Sequence, residues 1–95
     1  MEWAGYTIPI EDVKAFIKVE NNLEDNIIRI MRDAAIEQAR GRMNDGTAEI
    51  ATVPASVTLA ILQLILHKYE NRDDPDTIPK KAEEVFQQYY RWPGL

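Results

Sequence analysis

Apolar residues recur along this chain at helical spacing, in four blocks separated by clear breaks. Pro9, Asn21-Asn22, Asn44-Asp45-Gly46, Pro54, Pro75 and Pro79 supply the breaks. The first block predicts a helix over residues 10–18, with Ile10, Val13 and Ile17 in one stripe and Phe16 at its edge. Pro9 suits its start, because the N–H that proline lacks would have no partner in a first turn. Glu11 and Asp12 suit the positive end of the helix dipole and Lys18 the negative end.

The second block predicts a long helix over residues 23–43, with Asn22 as N-cap and Asp25 three residues on as in a capping box. Leu23, Ile27, Met31 and Ala34 make one apolar row, and Ile28, Ala35 and Ala39 a second beside it. The opposite face carries Asp25, Arg29, Asp33, Glu37 and Arg40. The pairs Asp25–Arg29 and Arg29–Asp33 stand at i,i+4 spacing, a solvated arrangement contributing a few tenths of a kcal/mol each. Residues 44–53 read as a loop, long for a helix–helix connection. Within it, 48–53 reads as a short extended arm holding Ile50, Thr52 and Val53.

The third block predicts a helix over residues 55–70 that is apolar round most of its circumference. Only Ser56, Ala60, Gln63, His67 and Glu70 make a narrow polar or small face. A surface helix needs an apolar arc of about 100°, so this one must touch several neighbours, either as a central core helix or partly in a subunit interface. The fourth block predicts a helix over residues 79–91, striped by Ala82, Val85, Phe86 and Tyr89 with Tyr90 alongside, and ended by Pro93-Gly94. The expectation is a small all-α, four-helix domain.

Ninety-five residues accommodate one domain, expected over 1–95 with its core at about 9–91. So small a chain gains stability from partners or self-assembly. The net charge of −5 argues against broad phosphate-driven binding to nucleic acid. Without cysteine there is no disulfide, thiolate metal site or thiol nucleophile. The first residues have neither the basic nor the apolar segment of a signal peptide. The longest apolar run, 59–66, is too short to span a bilayer.

Candidate chemistry is sparse. The single histidine, His67, lies mid-helix with no second ligand at metal spacing. The acidic run Asp73-Asp74-Pro75-Asp76 lacks the glycine and terminal glutamate of a calcium loop and reads as a helix break. Glu83-Glu84 point to different sides of a helix. No glycine-rich phosphate cradle is present. These readings point away from an enzyme and to no cofactor or metal. A helix-turn-helix would need a three- or four-residue turn and a basic recognition helix, and no pair of blocks supplies them.

The chain resembles the head–tail connector, or DNA-packaging adaptor, proteins of tailed phages. Four features carry the likeness: the opening Ile10-Glu11-Asp12-Val13-Lys14-Ala15-Phe16-Ile17-Lys18-Val19; Glu24-Asp25 leading a long helix with an alanine-rich row; Val53-Pro54 followed by an apolar helix ending His67-Lys68-Tyr69-Glu70-Asn71-Arg72; and Ile78-Pro79 before a last helix ending Tyr90-Arg91. The third is the most specific. Trp3, Tyr6 and residues 92–95 fall outside the likeness.

The resemblance implies a structural ring subunit, with about twelve copies docked under the portal at the capsid vertex. The ring would extend the DNA channel and offer a platform for a head-completion or tail protein. It implies a place in the virion at the head–tail interface, in the host cytoplasm during assembly or encoded by a prophage. DNA would pass through an acidic lumen without specific binding, and no membrane is involved. Candidate interface residues are Arg29, Asp33, Glu37 and Arg40 on the charged face of the second helix, Ile50 in the loop, Tyr69 and Arg72 at the end of the third helix, and Trp92 in the tail. Arg72 has Asp73, Glu70 or a neighbouring subunit as possible partners. The alternative is a small helical DNA-associated regulator or packaging factor acting as a dimer, which would bind duplex DNA with steep salt dependence.

Overall fold

The computed structural model describes residues 3, 5–44, 46–47 and 52–92. These form four helices: α1 (Ile10–Ile17), α2 (Asp25–Met43), α3 (Ala55–Glu70) and α4 (Lys80–Gln88). Among the described residues there is no strand. The protein is all-α, as its periodicity predicts.

Proline opens three of the four helices. Pro9, Pro54 and Pro79 each sit at the N-cap in extended geometry, with ψ of 140°, 147° and 142°. Each carbonyl then accepts the first helical N–H bonds, as in Val13 N–H to Pro9 O at 3.2 Å and Glu83 N–H to Pro79 O at 2.9 Å. Proline's fixed φ suits such a junction and no donor is sacrificed. The ends of α1 and α2 turn through left-handed residues, Lys18 at φ 62° and Asn44 at φ 49°, which frees the chain to reverse direction.

Two helix limits differ from expectation by more than one residue. α2 begins at Asp25 rather than Leu23, and Asn22 does not cap it. The side chains of that turn are engaged elsewhere: Asn21 Oδ1 accepts from Leu23 N–H at 3.0 Å, and Asn22 Oδ1 from Lys14 Nζ at 2.7 Å. α4 stops at Gln88, three residues early. Beyond it Arg91 N–H bonds Met43 O at 3.0 Å and Asn44 Nδ2 bonds Arg91 O at 2.8 Å. The chain leaves the helix to satisfy the open end of α2.

α3 packs against each of the other three helices. Its buried row is Val57, Ala60, Ile61, Leu64, Ile65 and Lys68. Ala60, read from the sequence as part of a small or polar face, therefore points inward. α2 contributes Ile28, Ala35, Ala39 and Met43, α1 Val13 and Ile17, and α4 Ala82 and Phe86. The second apolar row of α2 is thus the core row. The small alanines Ala35, Ala39, Ala60 and Ala82 allow close helix approach, and Phe86 is the largest of the fully buried side chains.

The core extends earlier than residue 9. Trp3 and Ile8 are both buried. Tyr6 meets the Trp3 ring edge-on with centroids 5.3 Å apart, and its hydroxyl hydrogen-bonds Thr58 Oγ1 of α3 at 2.7 Å. Arg32 Nη1 of α2 donates to Ile8 O at 3.2 Å. The segment ahead of α1 is therefore strapped to both long helices.

Candidate interaction surfaces

Lys68 is the most unusual polar residue of the core. It belongs to the buried row of α3 and is only 6% exposed. Its Nζ donates to Gln38 Oε1 of α2 at 2.8 Å and to Pro75 O at 2.5 Å. Gln38 Nε2 in turn donates to Asp76 O at 2.7 Å. A buried ammonium persists only with such partners. Burial pushes its pKa below the ordinary lysine range, while the nearby Asp76 carboxylate acts the other way. The acidic segment between α3 and α4 is thus fastened through its backbone carbonyls, Pro75 O to α3 and Asp76 O to α2.

Tyr69 and Arg72 come together around Glu24. Tyr69 OH donates to Glu24 Oε1 at 2.8 Å, and Arg72 Nη2 to Glu24 Oε2 at 2.6 Å. The guanidinium also lies 4.9 Å from the centre of the Tyr69 ring. The Arg72 hydrogen bond, then that of Tyr69, holds the Glu24 carboxyl below its usual range. The same contact with Glu24 raises the Tyr69 phenol. Of the acidic groups within reach of Arg72, the one that engages it is Glu24, 48 positions away. Glu24 precedes α2, and no local pattern links it to residue 72.

The charged residues of α2 behave less alike than their spacing suggests. The i,i+4 pairs do not form. Lys14 Nζ of α1 lies 2.9 Å from Asp25 Oδ1, and Arg32 Nε lies 2.9 Å from Asp33 Oδ1. Arg29 donates to Asn26 Oδ1 at 3.4 Å. Arg40 stacks 5.3 Å from the centre of the Trp3 ring and so roofs the buried indole. Glu37, Arg40, Gly41 and Asn44 surround a shallow hollow. Near the end of α2, Arg42 grips Glu83 of α4 through two bonds, 3.0 and 2.6 Å. That hydrogen bonding holds the Glu83 carboxyl below its usual range.

Trp92 is 65% exposed and meets Tyr90 edge-on at 4.9 Å. Ile50 lies outside the described residues, as does most of the expected extended arm. The loop's root is firm, with Thr47 fully buried and Val53 against the core.

A surface that spacing alone did not single out lies on α2. Ile27 and Ile30, with Leu23 in the turn before them, are exposed at 40%, 62% and 91%. The apolar row read from the sequence, Leu23, Ile27, Met31 and Ala34, holds two of these residues and not Ile30. What was not visible is that the core uses the neighbouring row and leaves these three in solvent. α3 and the start of α4 border a groove of about 350 Å³, lined by Gln63, Leu66, His67 and Glu70 on the α3 side and by Pro79, Lys80 and Lys81 on the α4 side. Among the described residues no cluster of His, Asp and Glu could hold a metal ion, and no helix is long and apolar enough to cross a membrane.

The family of phage gp6-like head-tail connector proteins matches residues 7–92. No curated protein and no solved structure matches the chain.

Proposed function

This chain belongs to the phage gp6-like head-tail connector family, and from that premise we propose that it is a ring subunit docking on the portal. Membership makes it a structural component of the virion that assembles with other head and tail proteins. In the proposed assembly about twelve copies form a head-to-tail ring. The ring extends the DNA channel beneath the portal and gives a head-completion or tail protein its seat. The observation that carries this reading is the family match across all four helices.

The surface supports the reading. The core leaves an apolar ridge on α2 uncovered, as expected of a subunit completed by neighbours. The net charge of −5 suits a channel through which DNA slides without adhering. Trp92, exposed, would anchor a protein above or below the ring in this reading, since exposed aromatics often bury on binding.

The test is solution mass by light scattering, with negative-stain microscopy, for the chain alone and mixed with portal protein. Closed rings, alone or on the portal, are expected. A compact dimer that shifts duplex DNA would sink the reading in favour of a DNA-associated regulator. Portal docking that survives removal of residues 92–95 would exclude the tail from the contact.

A further inference from the structure

We propose that the ridge Leu23–Ile27–Ile30 of one subunit docks into the α3–α4 groove of a second copy of this chain, an inference that rests on the connector reading and locates its subunit contact.

The ridge holds three of the five large apolar side chains that stand exposed among the described residues. It lies away from the buried row of α2, Ile28, Ala35, Ala39 and Met43, so the subunit's own core cannot cover it. The groove likewise lies away from the buried row of α3 and has Leu66 and Pro79 in its lining. Ridge and groove therefore occupy different faces. A contact between different faces repeats from copy to copy, giving a ring if the rotation closes.

Charge selects the occupant. One to two turns beyond Ile30, α2 exposes Asp33 and Glu37. Among the described residues Glu37 has no hydrogen-bond or ion-pair partner, and Asp33 meets its neighbour Arg32. Lys80 and Lys81 line the α4 side of the groove, exposed and, among the described residues, without an anionic partner. They also stand in the first turn of α4, where the helix dipole disfavours cations. Carboxylates arriving from a neighbour's α2 would offset that mismatch. An apolar ridge followed by acid fits a groove whose α4 side carries two lysines, provided the acid meets that side and not Glu70 on the α3 side, and both halves are present on this one chain.

The test is sedimentation of the full chain over a range of concentrations, with and without portal protein. Two variants are compared with the wild type: Ile30→Glu on the ridge, and Lys80→Glu with Lys81→Glu beside the groove. All three altered side chains are exposed, and circular dichroism checks that the helices are intact. Each variant alone should associate at least about tenfold more weakly than the wild type. An equimolar mixture of the two should give a one-to-one dimer, because one intact ridge then meets one intact groove. Adding Glu37→Lys to the groove variant should restore assembly by reversing both charges. Variants that assemble like the wild type, or a mixture that stays monomeric, would overturn this contact and leave the ring reading standing. A wild type that only forms a closed dimer, or stays monomeric with the portal present, would overturn both.

Discussion

The carbonyl oxygen of Tyr89 occupies the space in which a Cβ on Gly46 would stand. Gly46 N–H also bonds Met43 O at 2.8 Å, so the turn after α2 is pressed between that helix and the end of α4. Gly46→Ala must displace backbone rather than a flexible side chain. It is expected to lower stability by about 2–3 kcal/mol, read from the midpoint of urea unfolding.

Gly41 makes the opposite case. It lies inside α2, exposed, with nothing near where a Cβ would go. Gly41→Ala removes the entropic weakness of a helical glycine and should raise stability by about 0.5–1 kcal/mol. The same urea titration reads it, and a fall in stability would show that this stretch of α2 is not helical in solution.

Lys68→Met keeps most of the apolar stem and removes the donors. Gln38 Oε1 and Pro75 O then lose their partner in a partly buried site. The expected loss is about 1–3 kcal/mol. Hydrogen exchange should show faster opening of residues 73–78 than of α3, because that segment is held through this contact.

Acid should loosen the protein through Glu24 and Glu83. The folded-state pKa of each is depressed, Glu24 chiefly by Arg72 and Glu83 chiefly by Arg42. The stabilisation they give is complete above the unfolded value of about 4.3. It fades as pH falls through that value toward the lower folded one. Unfolding midpoints should drop on acidification below about pH 5. The Glu24→Gln, Glu83→Gln double variant should show a flatter acid limb, and an unchanged limb would assign the effect to other carboxylates.

The leader should be structural. Trp3→Ala empties a buried indole site beneath Arg40 and is expected to cost about 3 kcal/mol. Tyr6→Phe loses only the bond to Thr58, about 1 kcal/mol. Denaturation of both variants, with helix content followed by circular dichroism, checks the order.

What sequence reading could and could not reach follows from how local each cause is. The four helices were legible because proline, turn residues and apolar period act within a few positions. The limits of α2 and α4 were not, since Asn22 is drawn to Lys14 and Arg91 to Met43, both set by tertiary approach. α3 is apolar nearly all round, so no stripe pointed to its inner side, and the burial of Ala60 and Lys68 was hidden. Trp3 and Tyr6 precede the first periodic block, separated by Gly5 and Pro9, and carry no signal of where they dock. At the candidate surfaces, charge spacing on α2 was legible but the choice of partners was not. Arg29, Asp33, Arg40 and Arg72 each have competing neighbours, and only the packed helices select among them.

Several of the bonds that fasten the first half of the chain reach far along it. Tyr6 is tied to Thr58 across 52 positions, Glu24 to Arg72 across 48, and Asn44 to Arg91 across 47. During synthesis, then, the emerging α1 and α2 have little to fold upon until α3 and α4 leave the ribosome. Native structure should arrive late and nearly all at once. Incomplete chains would remain unfolded and fall to proteolysis instead of entering an assembly as defective parts.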